Sequence, residues 1–506
     1  MNVLAGRGAS ADRHAVVAVD LGAQSCRVSL LRWRPEGPHI ELVHRIPNAP
    51  VVRDGQLRWN LDAITAAADE GLRRCAAIAE EGIAAIGVTG WAVDYVRLQD
   101  GSNEPIADPF CYRDARSTSA MEAVHRHIAP ERLYALTGIQ VLPLNTLYQL
   151  YADGTAGVPG GLRWLNLPEY MLYRWGAQPV AEYTNATHTG MVRLGTQQWS
   201  QEIFSAAGLD LGAAPEIVSP GSIIGNLQGP LSQLPSLRDT LLIAPACHDT
   251  ASAIAGIPAR GDDWAYISSG TWSLVGALQD KPCAGAEAAR LNFTNLGAMG
   301  GGTCFLRNVN GLWLLNQCMD AWQTAGECRT VESLVEAAAT LPEPKVLIDV
   351  DDPDLLGPGN MPERLRGQLQ RNCSADEQLP ASPSAMTSVI LHSLAARYAA
   401  VLRQAETLTG KDFKRLYIVG GGSRNSLLNR LTEHATGLEL LCGAQESSTL
   451  GNFSVQLAAL GKLKRSGAVG EGVEHEAVAR WAAVLAGPPV PSSDRRNEPV
   501  AHSANS

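Results

Sequence analysis

The sequence lacks the features that mark a secreted, membrane-spanning or nucleic-acid-binding protein. Residues 1–14 have no apolar core of the signal-peptide kind, and no uncharged stretch is long enough to cross a bilayer. Lysine and arginine are scattered without a basic block, and the formal net charge is −10. Such a charge argues against nucleic acid or an anionic membrane as a partner. We therefore expect a soluble cytoplasmic protein with neither partner.

Motifs for structural metals and dinucleotides are also missing. The ten cysteines are dispersed, without a C-x-x-C pair or a Cys/His cluster of zinc spacing. Dispersed cysteines without a disulfide framework fit a reducing cytosol. The glycine-rich segment Gly420-Gly-Gly422 does not have the G-x-G-x-x-G spacing, which argues against a dinucleotide oxidoreductase. Placed before a helix, it suits the adenosine part of a nucleotide better; a connection without a ligand is the alternative.

Strand and helix patterns alternate along most of the 506 residues, and this predicts two related α/β domains. We place the first domain at residues 15–257 and the second at 258–465. Residues 1–14 and 488–506 are expected to be disordered tails. Residues 351–384, dense in Pro, Asp and Gly, are expected to form a long loop or insertion.

Each half begins with a strand, a small polar turn and a second strand. The first turn is Asp20-Leu-Gly-Ala-Gln-Ser25, and the second is Ser268-Ser-Gly-Thr-Trp-Ser273. Glycine permits a tight turn whose exposed amides can face phosphate oxygens. Asp20 is a candidate to hold Mg²⁺ through water, because Mg²⁺ binds few carboxylates and keeps several waters. A plain hairpin is the alternative for each turn.

Asp249 is the candidate catalytic residue. It stands in the run Cys247-His-Asp-Thr-Ala-Ser-Ala253, among small and apolar residues where an isolated charge is costly. Phosphoryl transfer needs an acid that orients the attacking hydroxyl and accepts its proton. The alternative is an ordinary helix cap. In both cases we expect the helix N-terminus to lower the pKa of this carboxyl.

The segment Thr89-Gly-Trp-Ala-Val-Asp94 is typical of a sugar pocket. An aromatic ring such as Trp91 packs on the C–H face of a sugar, and a carboxylate such as Asp94 accepts hydroxyl hydrogen bonds. Downstream, Arg113, Asp114 and Arg116 offer either further polar contacts or a structural ion-pair network. For Arg116 the network is favoured.

Taken together and in this order, these residues resemble the FGGY carbohydrate kinases, over nearly the whole chain from Val16 to Leu463. The matching strings are Asp20-Leu-Gly-Ala23, Trp91-Ala-Val-Asp94, Tyr112-Arg-Asp114, Thr137-Gly-Ile-Gln140, Leu144-Asn-Thr-Leu-Tyr-Gln-Leu150, Glu182-Tyr-Thr-Asn-Ala-Thr187, His248-Asp-Thr-Ala-Ser-Ala253, Ser268-Ser-Gly-Thr-Trp-Ser-Leu274, Asn308 with Gly311-Leu-Trp-Leu-Leu315, and Ile418-Val-Gly-Gly-Gly422.

The resemblance implies two actin-like ATPase (ribonuclease H-like) α/β domains with a central cleft for ATP and a sugar. It implies a kinase that uses ATP and Mg²⁺ to phosphorylate L-rhamnulose at the 1-hydroxyl in L-rhamnose breakdown, with Asp249 as the base. The implied nucleotide-binding residues are Ala23, Gln24, Ser25, Cys26, Arg27, Thr271, Asn316 and Gly421. The implied sugar-binding residues are Ala92, His248, Asp249, Thr250 and Asn308.

Three positions depart from the family pattern, and they leave the sugar open. Cys26 and Ala92 stand where glycine is usual, and Asn316 stands where glutamine is usual. A change of one methylene is worth about 1–3 kcal/mol of discrimination between substrates. L-Fuculose and xylulose therefore remain alternative substrates, and a non-catalytic actin-like nucleotide switch remains the alternative from another class.

Overall fold

Strands and helices alternate through the chain, as the sequence predicts. The computed structural model describes residues 14–102, 104–357, 359–372, 379–444, 446–466, 472–487 and 490–491. Of the two expected tails, only His14 and the short strand Val490–Pro491 are among the described residues.

The strands are β1 Ala15–Leu21, β2 Ser25–Arg34, β3 Gly37–Pro47, β4 Val51–Arg53, β5 Gln56–Arg58, β6 Ile83–Gly90, β7 Tyr95–Arg97, β8 Trp164–Asn166, β9 Val180–Glu182, β10 Glu216–Val218, β11 Ser222–Asn226, β12 Leu241–Ala244, β13 Trp264–Ser269, β14 Trp272–Gln279, β15 Thr294–Gly297, β16 Thr303–Asn310, β17 Arg415–Val419, β18 Glu439–Cys442 and β19 Val490–Pro491. The helices are α1 Leu61–Ile78, α2 Arg116–His125, α3 Pro130–Thr137, α4 Thr146–Thr155, α5 Leu167–Arg174, α6 Tyr183–His188, α7 Gln201–Ala206, α8 Asp249–Ala255, α9 Ala286–Arg290, α10 Trp313–Thr324, α11 Val331–Ala338, α12 Met361–Asn372, α13 Pro383–Thr409, α14 Ser426–Thr436, α15 Ser447–Ser466 and α16 His475–Ala486.

The chain forms two compact units. The first contains the described residues up to Arg260, together with Leu278–Phe305 and Ser447–Gly487, and the second is built mainly from Gly261–Ala277 and Leu306–Glu446. The chain therefore enters the first unit three times. Helix α15, which follows the second unit in sequence, packs in the first.

The first unit is organised around a six-stranded sheet in the order β11-β12-β6-β1-β2-β3. Strands β1, β6 and β12 run parallel, whereas β2 returns antiparallel to β1. Every residue of β1 is buried, Asp20 included, as the apolar run from Ala15 to Val19 predicts. Because β1, β6 and β12 are parallel, their carboxyl ends meet at one edge of the sheet, where ligands of open α/β sheets commonly bind.

The Leu- and aromatic-rich composition of residues 162–176 suggests a single helix, and the structure divides it. The Leu- and aromatic-rich stretch from 162 to 176 forms strand β8, which pairs with β7, followed by helix α5. Pro168 stands in the first turn of α5, where its missing amide and fixed φ suit a helix start. The proline therefore divides a run that looks like a single helix.

The second unit contains a sheet in which β16, β14, β13, β17, β18 and β19 are successive neighbours. Strands β13, β17 and β18 run parallel, and β13 and β14 form the predicted hairpin. Helix α13 is long and apolar enough to cross a membrane by composition, but 72% of its most apolar stretch is buried inside the fold. This burial is that of a core helix.

The described residues of 351–384 do not form the expected long loop, and the alternative of an insertion stays a prediction. The described part of this segment contains helix α12 and the start of α13. Met361, Leu365 and Leu369 recur at helical spacing and are all buried. The Pro, Asp and Gly residues that suggested a loop lie mostly at the ends of the helix.

Candidate active site

Asp249 lies where three chain segments of the first unit meet. It is the first residue of α8 and follows β12 through the buried segment that ends at His248. The Gly90 amide donates to the Cys247 carbonyl over 2.9 Å, and the Trp91 amide donates to the Leu21 carbonyl over 3.2 Å. The ends of β1 and β6 and the segment that carries Asp249 are thereby joined by backbone hydrogen bonds.

The environment of Asp249 shifts the ionisation of its carboxyl towards neutral pH. Its side chain keeps 37% of its surface exposed. Desolvation by the surrounding protein raises the pKa of the Asp249 carboxyl to about 7, and the negative charge of Asp20 raises it further. The expectation that the helix N-terminus lowers this pKa is therefore wrong. Desolvation and a like charge outweigh the Thr250 amide and hydroxyl, which favour the charged form.

Two histidines lie beside Asp249. His248 Nε2 is 3.4 Å from Asp249 Oδ1, and the rings of His248 and His188 have centroids 4.0 Å apart. Burial lowers the pKa of His188 to about 4, and burial together with His188 lowers the pKa of His248 well below its usual value. Both rings are therefore neutral near pH 7, and His248 can approach Asp249 only as a hydrogen-bonding group.

Asp20 is held by protein donors. Arg27 Nη2 and Ser448 Oγ donate to its Oδ2 over 2.7 and 3.0 Å, and Thr89 Oγ1 donates to its Oδ1 over 3.1 Å. The carboxylate is only 2% exposed. It therefore does not fit a metal bound directly. Among the described residues, no group of three or more His, Cys, Asp or Glu side chains could hold a metal ion.

The first polar turn has the predicted form. Gly22 donates its amide to the Ser25 carbonyl over 3.1 Å, and a Cβ at Gly22 would lie 2.6 Å from that oxygen. Glycine is therefore required at this position. Ala23 is half-buried and Gln24 is exposed, as residues that face a ligand should be.

The Cys26 side chain is buried against this turn, where its thiol hydrogen-bonds the Gly22 backbone. It is 5% exposed and belongs to the hydrophobic core around β1 and β2. Burial raises the pKa of its thiol to about 12. The cysteine that replaces the family's usual glycine therefore adds volume to the hydrophobic core and does not narrow the open face of the first polar turn.

Asp94 has a different task from the sugar contact suggested by its sequence. It is fully buried, and its Oδ2 accepts the indole N–H groups of Trp59 and Trp91 over 2.6 and 2.9 Å. The Tyr112 amide and the Gln149 side chain supply further hydrogen bonds. Since protein donors occupy it, the interpretation of Asp94 as a sugar ligand is wrong; it anchors the tryptophans instead. Ala92, which the resemblance places at the sugar, is 8% exposed.

In the second unit, the predicted nucleotide residues lie on elements that converge on the β13–β14 turn. The Gly311 and Trp313 amides donate to the Thr271 carbonyl over 3.2 and 3.1 Å, which fixes the start of α10 against this turn. A Cβ at Gly420 would lie 2.8 Å from the Ser269 carbonyl oxygen. The Gly420–Gly422 segment and the hairpin therefore touch at backbone distance.

Four of the predicted ligand positions in this unit remain accessible. Asn316, in the first turns of α10, and Gly421 are exposed, and a Cβ at Gly421 would meet no atom within 4 Å. Thr271 and Asn308 are half-buried, and Asn308 lies on β16. The structure thus brings Thr271, Asn316 and Gly421 to connected elements, as a nucleotide site requires.

Sequence reasoning missed Ser448, His188 and Glu182. The Ser448 hydroxyl donates to Asp20, and the His188 ring packs against the His248 ring at a tilt of 60°. No sequence pattern places either residue there, because their partners are distant in the chain. Glu182, a buried acid inside the string Glu-Tyr-Thr-Asn-Ala-Thr, carries a detectable signal, since such an acid is rarely buried without a partner.

Comparison with known families decides the classification. Residues 15–256 match the N-terminal domain of the FGGY family of carbohydrate kinases, and residues 265–460 match its C-terminal domain. The chain belongs to the FGGY family of carbohydrate kinases. FGGY kinases use ATP, so this FGGY kinase acts on a carbohydrate with ATP as the phosphoryl donor. The predicted family and two-domain α/β fold are confirmed.

Similar proteins agree with this assignment. The FGGY kinase is 36% identical to a rhamnulokinase of Enterococcus faecalis over 459 residues, which are 90% of this chain and 91% of the relative. A ligand-bound xylulose kinase from Lactobacillus acidophilus has a TM-score of 0.74 at 18% identity, covering 93% of this chain and 96% of that one. A Plasmodium falciparum glycerol kinase with ADP has a TM-score of 0.72 at 12% identity, covering 93% and 92%. The two structures share the fold.

Proposed function

We propose that this kinase transfers the γ-phosphoryl group of ATP to the 1-hydroxyl of L-rhamnulose, giving L-rhamnulose 1-phosphate and ADP in the cytoplasmic breakdown of L-rhamnose. The observation that carries the chemistry is Asp249, accessible at the carboxyl edge of the sheet with a pKa of about 7. The identity to a rhamnulokinase over most of the chain supports the choice of sugar.

In this mechanism the Asp249 carboxylate orients the substrate hydroxyl and accepts its proton. The hydroxyl oxygen forms the new bond to the γ-phosphorus, and the bond between that phosphorus and the bridging oxygen of ADP breaks. The transition state is loose, so the proton leaves late and positioning matters most. A pKa near the working pH suits an acceptor that must be ionised before the reaction and protonated after it.

The binding roles follow the resemblance. In this proposal Ala23, Gln24, Ser25, Cys26, Arg27, Thr271, Asn316 and Gly421 bind the nucleotide, and Ala92, His248, Asp249, Thr250 and Asn308 bind the ketose. Cys26 contributes through its backbone, since its side chain is in the core. His248, neutral and 7% exposed, offers a hydrogen bond without a charge.

Mg²⁺ enters the proposal as the ion that ATP carries. Phosphate oxygens and water supply most of its ligands in such complexes. Asp20, held by Arg27, Ser448 and Thr89, would touch the ion only through water. No step of the mechanism above depends on it.

The sugar assignment predicts ketose-dependent turnover. In a coupled assay of ADP formation, the purified protein should consume ATP only when a ketose is present, with kcat/KM highest for L-rhamnulose. L-Fuculose and xylulose serve as the comparison substrates. If either has the higher kcat/KM, that ketose is the substrate in place of L-rhamnulose. ATP consumption that is independent of every ketose would instead favour a nucleotide switch.

The raised pKa of Asp249 predicts a specific pH profile. Because the ionised carboxylate is the active form, kcat/KM for the ketose should rise with pH and level off above about pH 7. Asp20→Asn removes the negative neighbour and leaves Arg27 in place, so the midpoint should move to lower pH even where activity falls. A wild-type midpoint near pH 4, or an alkaline shift in the variant, would contradict this account.

A further inference from the structure

A chain of buried polar groups lies behind the segment that carries Asp249. Its first member is Glu182, the last residue of β9, which has no exposed surface. One carboxylate oxygen, Oε2, accepts the Cys247 amide over 2.8 Å and the Thr184 hydroxyl over 2.5 Å. The other, Oε1, accepts the Thr184 amide over 2.9 Å. Glu182 therefore binds the backbone two residues before the base.

Thr184 extends this contact to the next residue. Its Oγ1 accepts the His248 amide over 3.3 Å while donating to Glu182. Two consecutive amides of the base-bearing segment, Cys247 and His248, are thus held by Glu182 and Thr184. The short helix α8 that follows has no side-chain cap at His248. The orientation of Asp249 consequently depends on these two hydrogen bonds.

A second acid supports the first. Glu169, 1% exposed, accepts the Glu182 amide on Oε1 over 3.1 Å and the Asn185 side chain on Oε2 over 2.9 Å. Burial raises the pKa of both Glu169 and Glu182, because removing a carboxylate from water is costly, whereas the hydrogen bonds that each accepts favour its charged form. Apolar side chains of similar size would pack without this cost, so stability alone does not account for the acids.

We propose that Glu182, acting through Thr184 and the Cys247 amide, is a positioning residue that fixes the base Asp249 for phosphoryl transfer. This inference rests on the proposed function of Asp249. It adds a role for the Glu-Tyr-Thr-Asn string, which the sugar and nucleotide contacts do not use. Misplacing a reacting group by about 1 Å is enough to lower the rate about 100-fold, even when the mutation is remote.

Glu182→Gln tests the carboxylate. The amide has one acceptor oxygen, so its NH₂ group must face either the Thr184 amide or the Cys247 amide, neither of which can accept a hydrogen bond. We expect kcat to fall about 10- to 100-fold. The Kd of ATP, measured by calorimetry, should be unchanged, because Glu182 supplies no contact to the proposed nucleotide residues.

Thr184→Val and Thr184→Ser form a matched pair. Valine keeps the shape of threonine but cannot accept the His248 amide, whereas serine keeps the hydroxyl. We expect kcat to fall in Thr184→Val and to stay close to wild type in Thr184→Ser. A role in packing alone would make serine, which removes a buried methyl group, the more harmful change.

Asp153→Asn controls for general destabilisation. Asp153 is another buried carboxylate of the same unit, bonded to Tyr95, Arg97 and Arg116 and not to the base-bearing segment. The Asp153→Asn substitution should lower the melting temperature and leave kcat unchanged at temperatures where the variant is folded. Wild-type kcat in both Glu182→Gln and Thr184→Val, or an equal kcat loss in Asp153→Asn, would overturn the positioning role. Failure of the proposed function itself would instead appear as a wild-type protein that phosphorylates no ketose.

Discussion

Asp249→Asn should abolish nearly all turnover while leaving the protein folded and able to bind ATP. Asparagine has almost the same size, but its amide cannot accept the proton of the substrate hydroxyl. General base catalysis contributes about 10²- to 10⁴-fold, so we expect kcat to fall by that factor. Steady-state assays of ADP formation with L-rhamnulose, together with calorimetric titration of ATP, measure the two effects.

The same variant should not be less stable than wild type. The pKa of Asp249 in the folded protein, about 7, lies above the value of about 3.9 for an unfolded aspartate. The fold thus disfavours the charged form of Asp249. The contribution of the neutral carboxyl to the free energy of unfolding is fully present below pH 4 and is lost as pH rises through 7. Asparagine carries no charge, so the melting temperature of Asp249→Asn at pH 8 should equal or exceed that of wild type.

Asp210→Asn is the matched control for this experiment. Asp210 is an exposed carboxylate that accepts the Gly212 amide on the surface of the same unit. The Asp210→Asn variant should keep the wild-type kcat. Turnover within a few-fold of wild type in Asp249→Asn would remove Asp249 as the base, and loss of ATP binding together with turnover would point to a folding defect.

Gly451→Ala should cause a large loss of stability. A Cβ at Gly451 would lie 1.7 Å from the Ser252 carbonyl oxygen, because α8 and α15 touch at backbone distance. Helix α15 cannot easily move away, since Asn452 and Gln456 donate to the Gly87 and Val17 carbonyls of the sheet over 3.2 and 2.9 Å. Overpacking of this kind costs about 1–3 kcal/mol or more.

The loss should reach catalysis as well as stability. Helix α8 begins at Asp249, so pushing α8 away from α15 displaces the base. We expect a lower melting temperature by thermal scanning and a lower kcat at temperatures where the variant is folded. The helix propensity gained on replacing glycine with alanine, about 1 kcal/mol, is too small to compensate for the clash.

Gly461→Ala separates propensity from the clash. Gly461 lies on the same helix, and a Cβ there would meet only the flexible end of Arg465 at 3.4 Å. This variant should be as stable as wild type or up to about 1 kcal/mol more stable. If Gly451→Ala behaves like Gly461→Ala, the close approach of α8 and α15 is not required for stability or for catalysis.

Local patterns predicted much of the fold because the physics behind them is local. The apolar run of β1, the tight turn at Gly22 and the hairpin at Gly270 depend on residues a few positions apart. Prediction of helices and strands from local patterns failed where two local signals conflict. Pro and Gly at the ends of α12 hid its buried face, and Pro168 divided one apolar run into β8 and α5.

The roles of single acids could not be predicted in the same way. Asp94 looked like a sugar ligand until its indole and amide donors, from residues up to 55 positions away, were located. Glu182 had no visible role until the fold placed it against Cys247, 65 positions downstream. A carboxylate has the same chemistry in every sequence, and its partners decide whether it binds, anchors or reacts.

The sequence by itself determined the family, the two α/β domains and the polar turns, because spacing and residue type are enough to specify them. It also singled out Asp249 as the candidate base, which stays a prediction. Only the tertiary structure decided how Asp249 behaves. Its pKa depends on the protein mass around it and on the charge of Asp20, 229 positions earlier in the chain. Desolvation and charge act through space, so they exist only once the chain has folded.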